Sequence, residues 1–200
     1  DYPDLELPAP DPVFTKDILG LLGGQADKYG IAVLDLSSRE NPRYAEHRGD
    51  YRQNVGSVGK LVAALGLFQA LADAWPDDIE KRRQILKLTV VTADAFSQSD
   101  HHKIRIFDVD SGKLIRRTMQ VGDQGSLWEY LDWTLSVSSN AAAAMIMREA
   151  MLLRHFGKDY PVPEVEIERF FKETSGKELT ELFQQTFFEA VTRNGLDLER

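Results

Sequence analysis

Cysteine is absent from this chain, which excludes disulfides and thiolate metal sites and is compatible with any compartment. Basic charge is scarce as well. The 24 Lys and Arg residues are outnumbered by 32 Asp and Glu, for a net charge of −8, and no basic stripe offers a track for nucleic acid. Long hydrophobic runs are missing: none approaches the ~20 residues of a membrane span. No signal peptide is visible, and an opening at Asp1 fits a mature or trimmed product equally. No internal repeat is evident. What is present is a chain of 200 residues, 42% of them hydrophobic. That is enough to bury a core, as one domain or a large part of one.

Residues 1–13 are rich in proline and acid and read as an extended arm, with a domain over 14–200. The spacing predicts a short amphipathic helix over 14–25, ended by Gly23-Gly24. The apolar run 29–36 predicts a central strand with both faces covered, and 43–51 a more polar return strand. A helix with a charged face is expected over 77–88. Alternation over 103–109 and 113–121, around Asp110-Ser111-Gly112, predicts a hairpin. The preceding His101-His102 pair is either a metal site lacking a third ligand or an exposed loop. Ser126 with Glu129, and Ser175 with Glu178, have the spacing of capping boxes opening helices. The acids Glu164, Glu166 and Glu168 read as a solvated face.

The chain is organised around the stretch that holds Ser57-Val58-Gly59-Lys60. Val58, Leu61, Val62, Leu65 and Phe68 recur at helical spacing and predict a buried stripe. Ser57 and Lys60, three apart, share a helix face. A serine hydroxyl becomes a useful nucleophile when a neighbour takes its proton, and a desolvated lysine can be that base. The free N–H groups of a helix's opening turn suit a developing oxyanion. Alone the tetrad is weak, since chance supplies it in roughly one of two such sequences. Downstream, Ser136-Val137-Ser138-Ser139-Asn140 interrupts a helical pattern that resumes as Ala141-Ala142-Ala143-Ala144, a break at which side chains can enter a cleft.

Ser57-Val58-Gly59-Lys60 opening an apolar helix, followed by Ser138-Ser139-Asn140 before an alanine-rich helix, resembles the penicillin-recognising serine enzymes. These are the class A β-lactamases and the DD-peptidases. The resemblance covers roughly residues 14 to 153. It implies an α+β fold of β-lactamase/transpeptidase type, with a helical region and part of an antiparallel sheet. It implies a serine hydrolase or acyltransferase that forms an acyl-enzyme on Ser57 with a D-Ala-D-Ala-type peptide or a β-lactam amide, without a cofactor or metal. Lys60 would accept the proton, Ser138 would pass one to the leaving nitrogen, and Asn140 would orient Lys60 and the substrate amide. The Ser57 N–H would form half the oxyanion hole. Such enzymes belong to bacterial cell-wall chemistry, so the implied location is periplasmic or secreted.

Three departures qualify what is implied. Ser139 stands where class A enzymes usually carry aspartate, a position at which DD-peptidases vary. The family's Lys-Thr-Gly or Lys-Ser-Gly strand is absent; the nearest string, Lys172-Glu173-Thr174-Ser175-Gly176, has an intervening glutamate. A deacylating Glu-x-x-x-Asn is absent too, because Ala190 stands four residues before Asn194. The expectation is therefore acylation with slow turnover. The missing strands are expected beyond Arg200, in the C-terminal remainder of the same protein or in a companion chain. Two other functions fit the same residues: a catalytically silent relative that binds a peptide or cell-wall fragment, and an unrelated helical binding module with chance motifs. No nucleic-acid partner and no membrane span are expected.

Overall fold

The computed structural model describes residues 7–38, 40–52, 54–97 and 100–196; the first half of the expected N-terminal arm lies outside them. The chain is α+β, with helices dominant and small antiparallel sheets. Its contacts divide into two compact units, Asp1–Asn54 and Val55–Glu199, where the sequence groups residues 14–200 together.

In the first unit, helix α1 (Pro12–Leu22) begins two residues earlier than the spacing predicts. Asp11 accepts hydrogen bonds from the Val13 and Phe14 N–H groups, and proline occupies the first helical position, where no N–H is needed. A 3₁₀ segment, Gly23–Lys28, follows. Strands β1 (Ile31–Asp35) and β2 (Arg43–His47) pair antiparallel, with Val33 opposite Ala45. β1 is not the fully covered strand expected. Its residues are half-buried, Ala32 is exposed, and its second edge has no strand partner among the described residues. β2 stops at His47 because Arg48 turns into the left-handed region, at φ 51°, and the Tyr51 N–H closes a turn on the Arg48 carbonyl.

The second unit holds the hydrophobic core. A 3₁₀ turn, Gly56–Gly59, runs into helix α2 (Lys60–Ala74), followed by α3 (Ile79–Leu88), which Asp78 caps. β3 (Val90–Thr92) pairs with β6 (Gln124–Ser126), a short ladder that periodicity does not reveal. Between them β4 (Ile104–Asp108) and β5 (Lys113–Arg117) form the expected hairpin, shorter at its C-terminal end. Helices α4 (Leu127–Ser136), α5 (Asn140–Phe156), α6 (Glu164–Glu173) and α7 (Gly176–Arg193) complete the unit. Both expected capping boxes form, at Ser126/Glu129 and Ser175/Glu178.

α2 packs against α5 and α7, and its buried face differs from the expected stripe. Ala63, Ala64, Gly66, Leu67, Ala70 and Leu71 are buried, whereas Val58 and Leu61 are about 60% exposed and Phe68 is exposed as well. Val62 and Leu65 are half-buried. The reason is closeness of approach. A Cβ built on Gly66 would lie 2.5 Å from the Phe187 ring and 2.9 Å from the Thr186 carbonyl oxygen. Small side chains let the helices come that near, so Ala63, Ala64, Gly66 and Ala70 share the inward face with Leu67 and Leu71, while Val58, Leu61 and Phe68 are turned out. The 19-residue helical stretch Gly56–Ala74, with a mean hydropathy of 1.3 over its most apolar part, is long and apolar enough to cross a membrane by length and composition alone, a test that a core helix also passes, so the expectation of no clear span stands. It is the one such stretch among the described residues, and its small-residue face is part of the core.

Arg148 and Glu149 on α5 are each about 4% exposed. Arg148 donates to Glu149 and, at 3.0 Å, to Glu164, while its Nε lies 3.0 Å from Asp94 without hydrogen-bond alignment. The Tyr160 hydroxyl donates to Glu149 at 2.7 Å. Of the three acids expected to be solvated, Glu164 and Glu166 thus have cationic partners, the second in Arg169.

Candidate active site

The 3₁₀ turn brings Ser57 over Lys60. In that conformation residues i and i+3 eclipse, so the two side chains align more closely than on the α-helix expected from Ser57 onward. Gly56 enters the turn at φ 54°, which costs a glycine little. Lys60 Nζ lies 3.1 Å from Ser57 Oγ.

The second motif arrives from the break between α4 and α5. The Ser139 N–H bonds back to the Trp133 carbonyl, and the Ser139 side chain, fully buried, caps α5 by accepting from the Ala142 N–H. That tight reversal holds Ser138 at φ 59°, an uncommon conformation for a non-glycine residue and one found often at functional sites. Its Oγ is 3.3 Å from Lys60 Nζ, and Asn140 Oδ1 is 2.6 Å from the same atom. All four expected residues, Ser57, Lys60, Ser138 and Asn140, therefore meet at one nitrogen. Three oxygens around Nζ match the three protons of an ammonium.

Ser57 and Asn140 are exposed and Lys60 is half-buried, so the site is open to solvent. Beneath Lys60 a hollow of about 260 Å³ is walled by Gly59, Ala63, Ala143, Ala144 and Met147. No acidic side chain lines it among the described residues. A larger cleft, about 490 Å³, lies among α5, α6 and α7 and contains none of the four residues.

One residue at the site has no sequence signal. The Asp100 carboxylate, 1% exposed, accepts the backbone N–H of Asn140 and that of Ala141, the latter at 3.3 Å. Its other oxygen accepts the His102 N–H at 3.1 Å and contacts His102 Nδ1 at 2.6 Å. Burial alone would raise its pKa, but the hydrogen bonds from His102, Ser139 and Ala141 outweigh it and hold the carboxyl well below the usual range. Asp100, His101 and His102 bring three potential ligand atoms within 4.8 Å of one another, the third ligand that the histidine pair lacks in sequence. Both Asp100 oxygens are already engaged as acceptors, however, which suits capping better than coordination. Asp100 is a lone aspartate, 40 residues from the motif it caps.

No family model, no curated protein and no solved structure matches this chain.

Proposed function

We propose that this chain carries the acylating centre of a penicillin-recognising serine enzyme of β-lactamase/transpeptidase fold, with Ser57 as the nucleophile. The substrate is a D-Ala-D-Ala-type peptide or a β-lactam amide. The observation that carries the proposal is the meeting of two motifs, 78 residues apart, at Lys60 Nζ. When Nζ is the free amine, it takes the Ser57 hydroxyl proton as Oγ bonds to the carbonyl carbon. The C–N bond then breaks, and the leaving nitrogen receives a proton from Ser138 Oγ, which Lys60 replenishes. Asn140 fixes Nζ through Oδ1 and offers its amide to the substrate. The Ser57 N–H, in the opening turn of a helix, is one oxyanion donor.

The second oxyanion donor and the wall facing Ser57 come from another segment, either further sequence or a companion chain. The exposed apolar side chains of Val58 in the 3₁₀ turn and of Leu61 and Phe68 on α2 support this. An enzyme acting on such peptides works outside the cytoplasmic membrane. A hollow without an acid supports slow deacylation. A penicillin-type probe should give one rapid equivalent of reaction followed by slow turnover. Fast, sustained β-lactam hydrolysis would refute the deacylation account. Reversible binding with no burst would favour the alternative of a silent, peptide-binding relative, a reading supported by the exposure of Ser57.

A further inference from the structure

We infer that Asp100 is a positioning residue of this site, acting on Lys60 through the backbone of Asn140; the inference rests on the proposed acyl-enzyme chemistry. A helix presents unpaired N–H groups in its first turn, and at α5 these belong to the segment that begins with Asn140. Ser139 satisfies the Ala142 N–H. Asp100 takes those of Asn140 and Ala141, and its side chain is nearly closed off from water. An ionised acceptor makes these bonds stronger than neutral ones.

The same carboxylate is held from the other side by His102, two residues before β4, whose first residue, Ile104, is fully buried in the core. Asp100 therefore links a strand end anchored in the core to the first residue of α5. It accepts hydrogen bonds from His102, Asn140 and Ala141, and none joins it to Lys60, Ser57 or Ser138 among the described residues, so its effect passes through Asn140. If the Asn140 backbone shifts, Oδ1 moves away from Nζ, now 2.6 Å distant, and Nζ loses its aim at Ser57 Oγ. Misplacement by about 1 Å can cost roughly 10²-fold in rate.

The test compares wild type, Asp100→Asn and Asp100→Ala in the intact protein, separating the acylation rate at saturating penicillin-type probe from the probe's dissociation constant. Asp100→Ala should lower the saturated rate by about 10²-fold, a larger effect than its weakening of the dissociation constant. Asp100→Asn, which keeps one acceptor oxygen, should recover part of the loss. The backbone amide resonances of Asn140 and Ala141 and the side-chain amide resonances of Asn140 should move in both variants, and this arm needs no activity. If Asp100→Ala does not fold, Asp100→Asn carries both arms. A wild-type saturated rate in a variant, or Asn140 resonances that do not move, overturns the inference. Should wild type fail to react with the probe, the acyl-enzyme proposal fails, and the resonances alone decide whether Asp100 positions Asn140.

Discussion

Lys60 Nζ is the atom at which the two motifs become one site, and replacing it separates positioning from reactivity. Lys60→Ala should leave Ser57 in place on its 3₁₀ turn and slow acylation by roughly 10²–10⁴-fold, the usual contribution of a general base. An acylation rate within a few-fold of wild type, measured by stopped-flow with a chromogenic β-lactam, would mean that Lys60 is not the base. The meeting of Ser57, Lys60, Ser138 and Asn140 was legible because each motif is a short spacing that the sequence prints. Asp100 was not. Its role comes from a contact across 40 residues of chain, and an aspartate before two histidines has many ordinary uses. Ser138's left-handed backbone was equally hidden, since it arises from the way Ser139 and Trp133 close the reversal.

Elements were most legible where a local signal ends them. The two capping boxes and the turn at Asp110-Ser111-Gly112 depend on neighbouring residues, and they formed. The inward face of α2 depends on what packs against it, and a hydrophobic count cannot see that Gly66 must meet Phe187. On α5 the decisive feature is the buried pair Arg148 and Glu149. Arg148→Met should destabilise the second unit by about 3–5 kcal/mol, because Glu149 is left as an uncompensated buried charge. The double variant Arg148→Met/Glu149→Gln should cost clearly less, as Tyr160 can still donate to the glutamine oxygen. Urea unfolding checks both. A single variant of near wild-type stability would show that the Arg148 network is dispensable.

At the scale of the whole molecule, the α+β class came with the resemblance, and the helices and small antiparallel sheets agree with it. The division into two units did not, because no composition shift marks the step from Asn54 to Val55. The edge of β1 that has no strand partner among the described residues and the exposed side chains along α2 each invite a partner. Residues 1–200 produced alone should therefore self-associate, and sedimentation velocity should show concentration-dependent oligomers. A compact monomer well above micromolar concentration (about the onset of association for such surfaces) would place the whole substrate wall within these residues. The central claim, that Ser57 is an acylated nucleophile, is tested most directly by intact and peptide mass spectrometry of the protein after exposure to a penicillin-type probe. The expected result is a single covalent adduct on the peptide containing Ser57, absent from a folded Ser57→Ala variant. No adduct at millimolar-scale probe (about the upper range of ordinary substrate levels), or an adduct that persists in Ser57→Ala, would contradict it.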